Sequence, residues 1–225
     1  MIRLIRQFIL DSLMILRKSF LRKPLLTILV AIHNSSYHWI GFFSSHEGIH
    51  PKHKIQNYHQ FFLDNISAND RVLDIGSGDG AVAFDVALKA KRVTGIDILH
   101  KNIILSEKKY HKDNIEFIEG DATTFDFKET FDVVILSNVL EHIENRVIFL
   151  KNVKRLAPKI LVRVPLITRD WISVWKRDSG FSYKLDDTHF TEYTEETFQE
   201  EMEKAGLKID SYYVKFGEFY AVVSN

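Results

Sequence analysis

The sequence predicts a doubly wound α/β fold, in which parallel strands alternate along the chain with helices that cover both faces of one sheet. Short apolar runs alternate with helix-forming segments between residues 71 and 164, and a glycine-rich turn follows the first run. The chain closes on two apolar runs joined by a short turn, which predicts an antiparallel hairpin. We therefore expect a Rossmann-like, mostly parallel seven-stranded sheet with a C-terminal antiparallel hairpin.

The amino-acid composition excludes several classes of function. The chain has 225 residues, 45% of them hydrophobic, so it can bury a substantial core. Its formal net charge is zero, so no overall field recruits nucleic acid. The absence of cysteine excludes a disulfide scaffold, a thiolate nucleophile and a cysteine-based metal site, and it fits a cytoplasmic protein.

Residues 1–34 are predicted to be a basic N-terminal extension. Apolar side chains recur at helical spacing, which predicts an amphipathic helix over residues 1–23: Ile2, Ile5, Ile9, Leu13 and Leu16. Pro24 is expected to end or kink it, and the apolar run 25–32 is far shorter than the roughly 20 residues of a membrane span. Two interpretations stay open. Residues 1–24 lie on a membrane surface or dock a hydrophobic partner, or the helix packs on its own domain.

Residues 35–66 form an aromatic and histidine-rich region that we expect to act as a lid. Residues 35–47 are expected to be irregular, and a helix is expected to follow, from Pro51 to Ile66. Three of its histidines form a cluster in the sequence: His50, His53 and His59. No carboxylate or further histidine completes a set at metal spacing, so a helix cap, a lid or a substrate contact is the preferred interpretation.

The remaining elements follow in order. The first strand ends at Asp74, and further strands are predicted at 92–97, 114–118, 131–136 and 159–164, separated by helices at 81–88, 102–111 and 145–156. A helix capped by Thr194 should end at Gly206, before strands at 207–214 and 218–224. The long insertion 165–190 is expected to be functional.

Three acids follow three successive strands: Asp74, Asp97 and Asp121. The glycine turn alone is weak evidence, because residues 76–81 also satisfy a permissive dinucleotide pattern. A carboxylate at Asp74 would repel a pyrophosphate and suits a ligand with a positive end. Asp97 can accept ribose hydroxyls, and Asp121 can accept a hydrogen bond from a purine amine. The pattern therefore favours a cationic adenosine ligand.

Four motifs, VLDIGSGDG, VTGIDI, EGDAT and FDVVILSNVLEHI, resemble in order and spacing those of class I S-adenosylmethionine-dependent methyltransferases. The resemblance implies an S-adenosyl-L-methionine-binding domain over residues 67–225, interrupted by the insertion 165–190. It implies that one set of residues binds the methionine part, the ribose and the adenine and lines the methyl-transfer mouth: Asp74, Gly76, Ser77, Gly78, Asp97, Ile98, Asp121, Ala122 and Asn138.

The candidate catalytic residues are Glu141, His142 and His189. The Glu141–His142 pair resembles a pair in quinone-type and small-RNA O-methyltransferases, where it can help bind a divalent metal. Asn138 stands where a further carboxylate would be wanted, so no metal is predicted. Either histidine could take a proton from a hydroxyl acceptor, or serve only as a helix cap or packing residue. Three aromatic residues could stack on a substrate ring or pack the core: Trp171, Trp175 and Tyr193.

The function predicted from the sequence is methyl transfer to oxygen of a small-molecule, glycan or lipid-linked acceptor. A nucleic-acid acceptor is not expected, because no basic stripe surrounds the ligand edge. Two alternatives stay open: an inactive methyltransferase-like binding or scaffold protein, and a nicotinamide-dependent oxidoreductase on a similar fold.

Overall fold

The structure is a computed structural model that describes residues 2–45 and 51–225. The chain divides into two compact units. One unit contains residues 1–55 together with 176–183, and the other contains residues 56–175 together with 184–225. The predicted boundary between residues 34 and 35 therefore falls inside the first unit, and each unit is described separately below.

The larger unit is built on one seven-stranded sheet in the order β3-β2-β1-β4-β5-β7-β6. Its first five strands are parallel: β1 (Arg71–Ile75), β2 (Arg92–Asp97), β3 (Ile115–Glu119), β4 (Val133–Ser137) and β5 (Lys159–Pro165). The last two, β6 (Lys208–Lys215) and β7 (Glu218–Ser224), are antiparallel, and β7 pairs with β5. The predicted fold class is confirmed. Since β1 and β4 are neighbours and the chain order reverses between them, a ligand crevice is expected at their carboxyl ends.

Helices cover both faces of this sheet. They are α4 (His59–Asp64), α5 (Ala81–Ala87), α6 (His100–Lys109), α7 (Arg146–Leu156) and α9 (Glu195–Ala205). One apolar core lies against α7 and α9 and includes Phe149, Leu150 and Phe198. The second core lies on the opposite face, where Phe61 and Phe62 of α4 pack with α5. The inner strands are apolar on both sides because each side is covered.

The smaller unit contains two long helices, α1 (Ile2–Lys18) and α2 (Arg22–Ser44). The expectation that Pro24 ends the first helix is wrong: Pro24 lies in the first turn of α2, where its missing N–H costs no hydrogen bond. The expectation of irregular structure over residues 35–47 is also wrong for residues 35–44, which complete α2. The side chains of Ile2, Ile5, Ile9 and Leu13 lie outside the described part of the chain, so their predicted apolar line stays a prediction.

The helix predicted from Pro51 to Ile66 is interrupted. It forms as α3 (Pro51–Gln56) and α4, separated at Asn57, whose φ of 48° breaks the right-handed helix. Of the predicted cluster of His50, His53 and His59, His50 lies outside the described residues. His59 pairs with Asp85, with 2.5 Å between Nδ1 and Oδ2.

The insertion after β5 is largely ordered. Pro165 ends β5, and the short helix α8 (Trp171–Asp178) occupies its middle. The next helix begins and ends as predicted: Thr194 forms a capping box with Thr197, and Gly206 adopts a φ of 71° at the C-terminus. Among the described residues, no helix combines the length and apolar character needed to cross a bilayer.

Candidate active site

In the glycine turn after β1, the backbone lies close to neighbouring side chains. Gly76, Gly78 and Gly80 all have positive φ, between 56° and 84°. A Cβ at Gly76 would lie 2.7 Å from Cγ2 of Val139, whereas a Cβ at Gly78 would meet nothing within 4 Å. The backbone at Gly78 therefore faces open space, which suits contact with a ligand.

Asp74 lies at the fourth position of β1, beside Gly95 of β2 and Ile135 of β4. Its side chain is buried, and Oδ2 has no hydrogen-bond partner. Burial, and next the charge of Asp97, raise the pKa of Asp74 to about 8. A buried carboxyl oxygen without a partner is costly, so this position is suited to a ligand group that supplies positive charge or hydrogen-bond donors.

Asp97 ends β2 and supports the glycine turn. Its Oδ2 accepts a hydrogen bond from the Gly78 amide at 2.9 Å. Its Oδ1 accepts from the Leu99 amide at 2.9 Å and from Asn102 Nδ2 at 3.0 Å. A carboxylate has about four acceptor sites, so these three contacts leave room for a ligand hydroxyl.

Asp121 follows β3 and has a local role of its own. Its Oδ1 accepts hydrogen bonds from the amide and the hydroxyl of Thr123, at 2.9 and 2.7 Å. The carboxylate therefore organises the turn after β3, as an Asx turn does. The same turn brings Ala122 to the cavity described next.

A cavity of about 850 Å³ lies at the carboxyl ends of β1 to β4. Six of the nine predicted cofactor-binding residues line it: Gly76, Asp97, Ile98, Asp121, Ala122 and Asn138. Asp74, Ser77 and Gly78 are not among its lining residues. The Ser77 hydroxyl is buried without a partner, as is the free oxygen of Asp74. The volume is within the range of small-molecule sites.

Asn138 follows β4 in a strained conformation, with φ of 56°. Its amide donates to the Arg163 carbonyl at 2.8 Å, and its side-chain oxygen is buried without a partner. Asparagine tolerates this left-handed region better than most residues, and strain of this kind often marks functional sites.

Glu141, His142 and His189 come together beside the cavity. One ligand atom from each lies within 4.8 Å of the others, close enough to hold a cation between them. The two imidazole rings meet edge to face, with centroids 4.6 Å apart. His142 lines the cavity, whereas Glu141 and His189 are buried behind it.

The electrostatics of this cluster differ between its members. Burial raises the pKa of Glu141 to about 7, and neither of its carboxyl oxygens has a hydrogen-bond partner. Burial, and next the charge of His189, lower the pKa of His142 below its usual 6.5. His142 is therefore neutral near pH 7, and a neutral imidazole can accept a proton.

Two residues that the sequence did not single out position the histidines. Thr188 Oγ1 lies 2.9 Å from His142 Nδ1 and lines the cavity. Glu192 binds His189 Nδ1 at 2.9 Å and accepts hydrogen bonds from the Leu185 amide and from Arg169. Burial alone would raise the pKa of Glu192, but these hydrogen bonds and the Arg169 charge lower it.

A buried ion pair near β4 and β5 was also missed. Arg163 Nε lies 3.2 Å from Glu218 Oε2, and Arg163 Nη1 donates to Ser137. The Tyr58 ring lies over the guanidinium, 3.9 Å from its carbon. The signal in the sequence was a lone charge inside the apolar strand 159–164, because buried charges are rare unless paired.

Two of the aromatic residues considered for substrate stacking differ in their exposure. Tyr193 is buried in the core against Phe198, and its hydroxyl donates to Glu201. Trp171 is 75% exposed. Of these two, only Trp171 is free to meet a ligand.

The strand order, the glycine turn and the acid-lined cavity define the class I methyltransferase fold. Residues 73–159 match the family model described as a methyltransferase domain. The match spans 87 of the 225 residues, so over this part the chain is similar to that family.

Relatives of known name agree with this class. Ubiquinone biosynthesis O-methyltransferase from Rickettsia bellii is 33% identical over 101 residues, which cover 44% of this chain and 42% of that protein. Pavine N-methyltransferase from Thalictrum flavum subsp. glaucum is 34% identical over 93 residues, 39% of this chain and 26% of that protein. The matched region thus spans less than half the length of either relative.

The solved structures match a longer part of the chain. Magnesium protoporphyrin IX methyltransferase from Synechocystis PCC 6803, solved with bound SAH, superposes with a TM-score of 0.59 at 17% identity. The superposition covers 76% of this chain and 81% of that one. At this identity the likeness shows the fold.

Proposed function

We propose that this protein is an S-adenosylmethionine-dependent methyltransferase that methylates oxygen on a small-molecule, glycan or lipid-linked acceptor. The observation that carries the proposal is the cavity at the carboxyl ends of β1 to β4, which has Asp97 and Asp121 in its wall. The carboxyl of Asp74, whose Oδ2 has no hydrogen-bond partner, is buried in β1, whose end lines the cavity. The matched family and the relatives named above support the same cofactor.

The residues fit this cofactor. S-adenosylmethionine supplies a methyl group on a positively charged sulfur. Asp97, with Ile98, would hold the ribose, and Asp121 with Ala122 would meet the adenine. The methionine part would reach Asp74 through Gly76, Ser77 and Gly78, where a cationic ammonium would meet the buried carboxyl and the unpartnered Ser77 hydroxyl. Asn138 would line the mouth of the site.

The cluster of Glu141, His142 and His189 would act on the methyl acceptor. Because the methyl group is already activated, much of the rate comes from holding the acceptor oxygen in line with it. A hydroxyl acceptor must also lose its proton as the new bond forms. His142 lines the cavity and is neutral near pH 7, so it would take that proton. The charges of Asp186 and Glu192 raise the pKa of His142 and would favour the resulting imidazolium, whereas the buried His189 opposes it.

The atom that accepts the methyl group is proposed to be oxygen rather than nitrogen. One curated relative is named for an oxygen acceptor and another for a nitrogen acceptor. The presence of a base beside the cavity favours oxygen, since a neutral amine attacks through its lone pair and needs a base less. A net charge of zero argues against a nucleic-acid acceptor. A cytoplasmic location is part of the proposal because a cysteine-free chain fits a reducing compartment.

Isothermal titration with S-adenosylmethionine and with NADH tests the cofactor. We expect binding of the former only. Asp97→Ala should weaken it by about 10- to 100-fold, the usual effect of losing a charged hydrogen-bond partner. As a matched control, Asp113→Ala removes an exposed acid outside the cavity lining. NADH binding would instead favour the oxidoreductase alternative, and cofactor binding without turnover on any hydroxylated acceptor would favour the scaffold alternative.

A further inference from the structure

Helix α2 carries an apolar face that the structure leaves exposed. With about 100° of rotation per residue, six side chains fall on one side of the helix. They are between 36% and 78% exposed and are called here the outer face: Leu25, Ile28, Leu29, Ile32, Trp39 and Phe43. Isolated apolar residues on a surface are ordinary, but six on one side of one helix, four before and two after the exposed Ser36, mark an interaction site.

The opposite side of α2 is partly buried and makes contacts within its own unit. Val30 and Gly41 are buried there. Within the same unit, Lys176 Nζ donates to Asn34 Oδ1 at 2.6 Å and lies 3.1 Å from His33 Nδ1. These contacts orient the helix, so the outer face points away from the side that packs.

The charge of the residues around α2 indicates what kind of surface the outer face would bind. Residues 12–46 contain no aspartate or glutamate and four basic residues, Arg17, Lys18, Arg22 and Lys23. All four are exposed, and they cluster around the junction of α1 and α2. A second copy of this helix would bring the same cations and no acid to pair with them. An anionic lipid bilayer supplies negative headgroups for the basic residues and an acyl-chain region for the apolar side chains.

The length and composition of α2 favour a surface position rather than a span. The helix is 23 residues long, or about 35 Å, but the described helices include none apolar enough to cross a bilayer. Tryptophan is enriched where the hydrocarbon meets the headgroups, and Trp39 belongs to the outer face.

We propose that α2 lies in the interfacial plane of an anionic bilayer, with the outer face in the acyl chains and the four basic residues against the headgroups. The contact is separate from the methyl-transfer site, and its test needs no cofactor. If both proposals hold, the enzyme works at a membrane surface, where a lipid-linked acceptor is at hand.

Vesicle flotation of the full chain tests this proposal. We expect binding to vesicles of phosphatidylcholine with a quarter phosphatidylglycerol, and little to phosphatidylcholine alone. Ile28→Glu/Ile32→Glu should lower binding more than about tenfold, since two charges would enter the hydrocarbon. The matched control is Ile104→Glu, an exposed isoleucine on α6 that should leave binding unchanged.

A second readout locates the contact. Brominated lipid should quench tryptophan fluorescence in the full chain, and Trp39→Phe should remove most of that quenching, although Trp171 is also exposed. Two results would overturn the proposal. One is anionic-vesicle binding by the double variant equal to that of the unchanged chain. The other is a dimer in lipid-free solution that the double variant dissociates, which would make a second copy the occupant.

Discussion

At the scale of single residues, burying the Asp74 carboxyl is costly for the ligand-free protein. This carboxyl is buried with one oxygen unpartnered, and its pKa is raised from 3.8 to about 8. The unfolded chain releases this proton near pH 4, whereas the folded chain keeps it to about pH 8. The contribution of Asp74 to stability is therefore present below pH 4 and is lost as the pH rises through 8.

Asp74→Asn should consequently stabilise the ligand-free protein at about pH 8 and change it little at about pH 4. Each kcal/mol gained raises the melting temperature by about 2–4 °C for a chain of this size. The same substitution should weaken S-adenosylmethionine binding, because it removes the group expected to meet the cofactor's ammonium. Calorimetric melting at both pH values, paired with titration, checks this. A melting temperature that falls at pH 8 would show that Asp74 is ionised and paired in the folded chain.

His142→Asn tests the proposed base. Turnover on a hydroxyl acceptor should fall by about 10²–10⁴-fold with cofactor affinity unchanged. Because the pKa of His142 is lowered, turnover of the unchanged enzyme should decline only below about pH 6.5, as the imidazole becomes charged. His111→Asn, an exposed histidine elsewhere, is the control. Turnover abolished by a chelator and restored by a divalent ion would contradict the expectation that no metal is needed.

The residue types of the site could be predicted from the sequence, but their partners could not. Spacing put Asp97 and Asp121 at strand ends, yet it could not show that three acceptor sites of Asp97 are taken by the protein's own groups. Glu192 reaches His189 and Arg169 only once the insertion has folded back, and such contacts leave no periodic signal.

At the scale of elements, the glycine turn offers a matched pair of substitutions. Gly76→Ala and Gly78→Ala both place a side chain at positive φ, at a cost of about 1–2 kcal/mol each. Only Gly76→Ala also forces a Cβ against Val139, at 2.7 Å. Gly76→Ala should therefore lower the melting temperature further, and Val139→Ala should recover part of that loss in the double variant. Equal losses for the two single variants would contradict the predicted close approach.

The elements of the sheet were predictable because their signals are local and repeated. The β2 strand and the α9 caps lie where the sequence places them. The errors fall in the N-terminal region. Residues 35–47 were expected to be irregular, but Ser35 and Ser36 lie within α2, whose apolar residues on both sides of them continue one helix. Asn57 gave no warning that it would break the next helix, since its positive φ depends on the surrounding packing.

At the scale of the whole molecule, the sheet order and the cavity fix where chemistry can occur. Parallel strands direct their carboxyl ends to one edge, and the reversal between β1 and β4 opens a crevice there. The order of strands follows from the alternation of elements, whereas the division into two units could not be predicted, because residues 176–183 join the N-terminal unit from far along the chain.

The most direct measurement is a crystal structure with S-adenosylhomocysteine bound. We expect the ribose hydroxyls at Asp97, the adenine beside Asp121 and Ala122, and the sulfur facing Asn138 and His142. A ligand bound away from the β1–β4 edge, or adenosine held without Asp97 and Asp121, would contradict this expectation.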